Sequence, residues 1–256
     1  MDPATLVGMA LAGGALVVTM LLEGSSPMAI VLLPPLILVF IGTFGAAMSG
    51  STMADIRRIG TWFRLAFAPD RGPQTPALIA LLVDLATLAR KEGMLPLENR
   101  ARTLTDPFLR RGLQMAVDGT PVERLEAAMR SEIAAQQADD RVAARFFLRM
   151  GGYAPTVGII GTVVGLVQVL RQLEDPAALG PLVAGAFVAT LWGVLSANFF
   201  WLPISAKITR NSQLRTAQMT LLLTGVSEIL AGTNPRALKN HLRAMLPPSE
   251  ARSLAA

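Results

Sequence analysis

The chain has 256 residues, no cysteine and a single histidine, His241. The lack of cysteine excludes disulfide bonds and thiolate–metal sites. Aromatic residues are also scarce, at 5% of the chain. Four long apolar stretches lack every Asp, Glu, Lys and Arg: residues 3–22, 24–54, 150–170 and 176–206. Because His241 lies outside all four, the sequence excludes a histidine-based metal centre or a Ser-His-Asp triad within them.

The uncharged stretches predict membrane-spanning helices. A bilayer core needs about 20 apolar residues per helical span, and each stretch reaches that length. We therefore expect an all-α polytopic membrane protein with four transmembrane helices and a helical cytoplasmic domain between spans two and three. The predicted boundaries are a transmembrane hairpin over 3–50, the cytoplasmic domain over 51–149, spans three and four over 150–206, and a cytoplasmic tail helix over 207–256.

The basic residues predict the orientation. Of 23 Lys and Arg, fifteen lie in residues 51–150 and seven lie after residue 206. Cytoplasmic segments of membrane proteins carry an excess of Lys and Arg. Both termini are thus expected in the cytoplasm, and the two short connections outside it. The net charge of +5 does not indicate nucleic-acid binding, because the basic segments lack interleaved aromatic residues.

Proline and glycine mark the predicted helix ends. Thr75-Pro76, Asp106-Pro107 and Thr120-Pro121 each pair a capping residue with a proline at the first helical position. The helix that starts at Pro121 has no breaker before span three, so we expect one long helix. Span four likewise continues to about residue 231. Pro34-Pro35 is expected to kink span two or to delay its start.

Small residues recur every four positions along spans three and four. Such stripes are typical of closely packed membrane helices. The predicted packing residues are Gly158, Gly161, Gly165, Gly185, Ala189 and Gly193.

Two threonines and two prolines on these spans admit more than one interpretation. Thr162 and Thr190 could hydrogen-bond at membrane depth as part of a functional site, or each could bond its own helix backbone. Pro155 and Pro203 could form a static kink or a paired hinge.

No carboxylate lies within the four uncharged stretches. An intramembrane acid is the usual carrier of protons or sodium ions. The chain alone is therefore not expected to be a carboxylate relay. Nothing in the sequence resembles an enzyme active site, so we expect no catalysis, no cofactor and no bound metal.

Three segments together resemble the MotA/PomA family, the A subunits of bacterial flagellar stators. Residues 90–98 (RKEGMLPLE) resemble its cytoplasmic motif. Residues 154–166 (APTVGIIGTVVGL) resemble its third span, and residues 188–193 (VATLWG) followed by Pro203 resemble its fourth. The order of spans and insertion agrees as well, so the resemblance covers nearly the whole chain.

The resemblance implies an ion-conducting stator subunit in the bacterial inner membrane. It implies a homo-pentamer around two copies of a single-span B subunit (MotB/PomB-like), which supplies the ion-carrying Asp. Thr162 and Thr190 would line the ion path, and Pro155 and Pro203 would form the hinge. By the same resemblance Arg90 and Glu98 would contact the rotor's switch-ring protein.

The transported ion is either a proton or sodium. Thr162 resembles the sodium-driven members, although related proton-driven proteins also carry threonine there.

Two other functions are compatible with a membrane chain of this size. An ExbB/TolQ-type energiser of an outer-membrane transport system typically has one span before its cytoplasmic insertion, whereas residues 3–50 predict two. A self-contained transporter or membrane enzyme would need the intramembrane acids, histidines or cysteines that these stretches lack.

Overall fold

The computed structural model describes residues 3–67 and 75–248, and within these ranges all regular structure is helical. The chain divides into two compact units. The first comprises Met1–Asp70 and Asp140–Asn211, and the second comprises Arg71–Asp139 and Ser212–Ala256. The chain crosses between them three times: at 139/140 and at 211/212 the crossing falls inside a long helix, and the crossing at 70/71 lies outside the described residues.

The first unit contains α1 (Pro3–Leu22), a 3-10 turn (Pro27–Ile30), α2 (Leu33–Ser49), α3 (Met53–Ile56) and α4 (Ile59–Phe67). The second unit contains α5 (Thr75–Glu92), α6 (Pro96–Thr103) and α7 (Pro107–Val117). The remaining elements are α8 (Val122–Arg171), α9 (Pro176–Ser196), a π-helical turn (Ala197–Trp201), α10 (Leu202–Leu230) and α11 (Pro235–Ala244). The second unit takes the start of α8, the end of α10 and all of α11.

The helix ends confirm most of the boundaries predicted from the sequence. Asp106 accepts hydrogen bonds from the amides of Phe108 and Leu109 and so caps α7. Gly119 has a positive φ of 73°, a conformation that glycine adopts without strain, and it follows the end of α7. The helix α8 is one uninterrupted element of 50 residues, as expected.

Pro34 and Pro35 delay the start of α2, which is one of the two outcomes expected from the sequence. They lie in its first turn, where no intrahelical donor is needed. Two other features of the fold were missed. The short helices α3, α4 and α6 were not predicted. The π-helical turn between α9 and α10 was not predicted either.

Two helices are long and apolar enough to cross a bilayer: Val122–Arg171 and the continuous run Pro176–Leu230. The apolar segments Val7–Leu22 of α1 and Leu33–Ser49 of α2 are shorter. Helix length and composition therefore support two of the four predicted spans. Large apolar side chains at positions 159, 160, 163 and 164 of α8 are about half exposed, which suits a helix that faces lipid or another apolar chain.

Each unit has its own core. In the first unit, Trp62 of α4 packs near Phe146 of α8, with ring centroids 5.6 Å apart. Phe63 meets Phe147 edge-on at 5.0 Å, a favourable arrangement for aromatic rings. In the second unit, leucines of α5, α6, α7 and α11 form the core together with α8 and α10: Leu78, Leu82, Leu97, Leu109, Leu113, Leu238 and Leu242.

Candidate functional site

Helices α8 and α9 run antiparallel at very close range. A Cβ atom placed at Gly158 would lie 2.9 Å from the carbonyl oxygen of Ala189 and 3.1 Å from the Cα of Thr190. A Cβ at Gly193 would lie 2.6 Å from the carbonyl oxygen of Ala154. Real Cβ atoms do not approach backbone so closely, so only glycine allows this spacing at positions 158 and 193.

The same seam continues towards the end of α8. Cβ atoms placed at Gly161 and Gly165 would each lie 2.6 Å from an alanine Cβ, of Ala189 and Ala186 respectively. Five of the six predicted packing residues thus lie on the α8–α9 seam. The sixth, Gly185, lies away from it, since a Cβ there would meet only Leu32 at 3.9 Å.

The structure brings Thr162 of α8 and Thr190 of α9 together on this seam. Their hydroxyl groups hydrogen-bond each other. The Thr162 hydroxyl also lies 3.1 Å from the carbonyl oxygen of Ala186, across the seam. Both hydroxyls lie 3.3 Å from the carbonyl oxygen of Gly158. The sequence left open that Thr162 bonds only the backbone of its own helix. That alternative accounts for its contact with Gly158 but not for its contacts with Ala186 and Thr190 of α9.

The threonine pair and the carbonyl groups around it offer more hydrogen-bond acceptors than donors. Two hydroxyls supply two donated hydrogen bonds, while two hydroxyl oxygens and two carbonyl oxygens can accept. Both side chains are half-buried. The pair thus offers a small group of uncharged oxygens at a narrow point between two apolar helices. Such oxygens can coordinate a cation or hydrogen-bond to a water molecule, but they cannot carry a proton at neutral pH.

Charged groups are missing from this site. Within residues 3–67 and 75–248 no group of three or more His, Asp or Glu side chains could hold a metal ion. The seam itself contains only Gly, Ala, Thr and other uncharged residues. The described residues of the seam therefore supply no carboxylate to the threonine pair.

The two predicted hinge prolines lie at different kinds of position. Pro155 lies inside the uninterrupted helix α8. Pro203 lies two residues after the end of the π-helical turn, which is closed by a hydrogen bond from the Leu202 amide back five residues to the Ala197 carbonyl. Pro203 has no amide proton to donate to the carbonyl four residues earlier. The π-type hydrogen bond therefore occurs next to the position at which the proline already interrupts the regular α-helical hydrogen bonds.

Helix α2 packs against α8 in antiparallel register. A Cβ at Gly42 would lie 3.2 Å from Val157, and one at Gly161 would lie 2.9 Å from Leu38. Thr43 of α2 is fully buried, and its hydroxyl has no hydrogen-bond partner among the described residues. The sequence analysis did not single out Thr43, because one threonine in an apolar helix gives no signal.

Arg149 is a second residue that the sequence analysis missed. Its guanidinium group donates to the carbonyl oxygen of Gly50 and, at 2.8 Å, to the hydroxyl of Ser51. This places a positive charge at the C-terminal end of α2, where the helix dipole favours cations. A Cβ at Gly50 would lie 2.6 Å from Nη1 of Arg149, so glycine leaves room for the contact.

Comparisons with known proteins identify the family of the chain. Residues 100–221 match the MotA/TolQ/ExbB proton channel family. The chain is 33% identical to motility protein A of Bacillus subtilis over 250 residues, which cover 98% of this chain and 93% of that protein. The chain belongs to the MotA/PomA family.

Other relatives extend this result. The chemotaxis protein PomA of Vibrio alginolyticus is 31% identical over 243 residues, 95% of this chain and 94% of that one. A chain in the structure of the flagellar MotAB stator complex from Bacillus subtilis matches with a TM-score of 0.94 at 32% identity, over 100% of both chains. A chain of C. jejuni MotAB matches with a TM-score of 0.92 at 28% identity, over 97% of both.

Residues 90–98, which resemble the cytoplasmic motif of the family, lie in the second unit. Arg90 is exposed in the last turn of α5, and Glu98 lies in the first turn of α6. Gly93, with a positive φ of 85°, turns the chain between these helices. Glu98 accepts a hydrogen bond from Arg102 at 2.6 Å, a contact that was not predicted.

Proposed function

We propose that the chain is the ion-conducting A-type subunit of a bacterial flagellar stator, which couples proton or sodium flow to rotation of the rotor. The observation that carries this proposal is the Thr162–Thr190 pair on a glycine-lined seam. It lies in a chain that matches a MotAB stator chain along its whole length. The reaction is transport coupled to movement, so we propose no enzymatic step and no cofactor.

The oxygen-lined seam needs an ionisable partner. We propose that a single-span B subunit supplies an intramembrane Asp, which carries the ion while the threonine hydroxyls hydrogen-bond to it or to its hydration water. Five copies of this chain would surround two copies of that partner. Two observations support this: the seam contains no acid, and α8 exposes large apolar side chains, including Ile160 and Val164, that a central helix pair would cover.

The proposed topology has four spans in the inner membrane, with both termini cytoplasmic. In the described part of the first unit, one end of the apolar helices carries Glu23, Arg171, Glu174 and Asp175. The opposite end carries eight basic residues and two acidic ones. The excess of basic residues supports a cytoplasmic location for that end. The domain boundaries predicted from the sequence, with a cytoplasmic domain over 51–149 and a tail from 207, follow from this topology.

Movement would be delivered through the second unit. We propose Arg90 and Glu98 as the charges that contact the rotor's switch ring, because both lie on the family motif and are at least partly exposed. Pro155 and the π turn before Pro203 would act as the hinge. Each is a position at which the helix lacks its regular hydrogen bond and bends at lower cost.

The deciding experiment compares Thr190→Ala with Thr190→Ser in a motile bacterium that lacks its own stators and co-expresses a B partner. The serine keeps the hydroxyl on the seam, whereas the alanine removes it. We expect Thr190→Ala to abolish most rotation of tethered cells while membrane levels stay unchanged, and Thr190→Ser to restore a large part of it. Thr156→Ala is the matched control, since its hydroxyl is exposed and bonds only its own helix at Tyr153.

The same strain distinguishes the two ions. Rotation that stops when the sodium gradient is collapsed, with the proton gradient intact, identifies sodium. The opposite result identifies the proton. Motility that survives Thr190→Ala at full speed would contradict a role of the pair in the ion path.

An ExbB/TolQ-type role remains the second candidate, since the matched family includes those proteins. The apolar helices α1 and α2 ahead of the insertion favour the stator. Rescue of an outer-membrane uptake defect, without rescue of motility, would favour the energiser instead.

A further inference from the structure

The first unit carries a group of exposed arginines near one end of its apolar helices. These are Arg57 after α3, Arg64 on α4, Arg141 and Arg145 on α8, and Arg210 on α10. We call them the arginine belt. Arg58 and Lys207, which also lie at this end, take part in interactions within the chain and are not counted in the belt.

Hydrogen bonds fix the axial level of these elements relative to one another. Ser205 of α10 donates to the carbonyl oxygen of Ala144 at 2.8 Å, so α10 is level with α8 at this point. Asn211 donates to the carbonyl oxygen of Leu65 at 3.2 Å, which places α4 at the level of residue 211. Arg64, Arg141 and Arg210 therefore lie at similar depth, although they belong to three different helices.

The belt lies just beyond the uncharged part of the first unit. The uncharged stretch of α9 and α10 ends at Ala206, four residues before Arg210, which is about 6 Å along a helix. Arg145 and Arg141 precede Arg149, the last charge on α8 before its uncharged stretch, by one and two helical turns. These distances are comparable to the thickness of a headgroup layer plus the reach of an arginine side chain.

Acidic residues of the same unit do not neutralise the belt. None of the five arginines forms a salt bridge within residues 3–67 and 75–248. Of the two acids described at this end, Asp55 caps α3 by accepting from Thr52, and Asp140 is only 3% exposed. Five exposed guanidinium groups therefore lie at this end of the first unit, three of them at similar depth, and the described residues supply no anion to them.

We propose that the arginine belt binds the phosphate headgroups of anionic phospholipids. The guanidinium fork matches phosphate oxygens, and clusters of four to eight basic residues beside membrane helices attract anionic lipids by about 1 kcal/mol per residue. Lipid is the occupant because the belt continues directly from the apolar helices. The proposal rests on the membrane topology given above, but not on ion conduction or rotation.

The test uses the full chain extracted with its B partner into a neutral detergent and stripped of lipid. The complex is then offered equal amounts of phosphatidylglycerol and phosphatidylcholine, and the retained lipids are counted by native mass spectrometry. We expect retained phosphatidylglycerol to exceed phosphatidylcholine by at least about fivefold, the effect of a single basic residue near an anionic surface. High salt should remove most of this preference.

A five-site Arg→Gln variant of the belt should lose the preference, and a five-site Arg→Lys variant should keep most of it. The Lys variant also supplies the measurement if the Gln variant does not fold. The matched control changes five exposed basic residues of the second unit to Gln: Arg100, Arg110, Arg124, Arg236 and Lys239. We expect it to retain phosphatidylglycerol like the unchanged chain.

Three outcomes would overturn the proposal. These are equal retention of the two lipids by the unchanged chain, an equal loss of preference in the belt and control variants, and full displacement of phosphatidylglycerol by inorganic phosphate. The last result would mean that the belt binds free phosphate rather than lipid. Each of them leaves the stator function intact, since rotation of tethered cells is measured separately.

Discussion

Thr190 donates a hydrogen bond to the carbonyl oxygen of Gly158 at 3.3 Å, and its Cα would lie only 3.1 Å from a Cβ at that same glycine. The missing side chain of Gly158 and the polar side chain of Thr190 thus depend on each other. Without the glycine, α9 could not approach closely enough for the Thr190 hydroxyl to reach the backbone of α8. The packing seam and the candidate ion path are therefore one structural feature.

Gly158→Ala tests this dependence. The added Cβ would force α8 and α9 apart, because its nearest neighbours are backbone atoms. We expect the midpoint of thermal unfolding in detergent to fall and rotation to be lost, with a destabilisation of about 1–3 kcal/mol, typical of overpacking. Gly152→Ala on the same helix is the control, because a Cβ there meets nothing within 4 Å. Equal behaviour of the two variants would show that the seam is looser than the structure describes.

Arg149→Gln should destabilise the first unit. The change removes the charge and the forked donor that hold the end of α2, so the free energy of unfolding should fall by about 1–3 kcal/mol. Arg149→Lys should recover only part of this loss, because an ammonium group lacks the planar fork. The measurement is the midpoint of thermal unfolding in zwitterionic detergent, for the unchanged chain, Arg149→Gln and Arg149→Lys. Arg145→Gln, one turn earlier and without a partner within the described residues, should unfold like the unchanged chain.

Thr43→Val should leave stability unchanged or raise it. The buried hydroxyl of Thr43 has no partner among the described residues, and an unpaired buried hydroxyl costs about 1–3 kcal/mol. Valine has nearly the same shape and removes that cost. Thr43→Ser keeps the hydroxyl and removes the methyl group, so it should lower the unfolding midpoint. A lower midpoint for Thr43→Val would instead reveal a bridging water or a polar group from a partner chain.

Charge reversal at Arg90 or Glu98 should reduce torque without affecting membrane levels. Arg90 is exposed, and the exposed Glu98–Arg102 pair contributes at most a few tenths of a kcal/mol. We expect Arg90→Glu and Glu98→Lys to slow the rotation of tethered cells, while Arg124→Glu, an exposed reversal on α8, leaves the speed unchanged. Normal speed in the Arg90→Glu/Glu98→Lys double variant, with an unchanged rotor, would refute contact through this motif.

Much of the fold could be predicted because its signals are local. The caps at Asp106 and Asn234, with a proline directly after each, identify helix starts by known backbone chemistry. The continuity of α8 followed from the lack of breakers before Gly151, and α8 passes Pro155 without interruption. The spacing of Gly158, Gly161 and Gly165 indicated a packing face before the partner helix was known.

The residues that were missed depend on contacts between distant segments. Nothing near Arg149 in the sequence reveals that it reaches Gly50, since 99 residues separate them. The hydrogen bond from Trp192 Nε1 to the Ile30 carbonyl, at 2.6 Å, spans 162 residues and was equally hidden. The placement of Gly185 off the α8–α9 seam shows the limit of a period-four stripe. The stripe gives a face, but it does not say which neighbour covers each position.

The π-helical turn at Ala197–Trp201 changes how residue numbers relate to helix faces. Each residue advances an α-helix by about 100°, and a π turn accommodates one extra residue within its span. Positions before and after the turn are therefore out of phase by about one residue. Deleting a single residue within it would restore a uniform helix. It would also rotate Ser205 away from the Ala144 carbonyl of α8 and Ile208 out of the core. In this chain the length of the segment, and not only its composition, is under structural constraint.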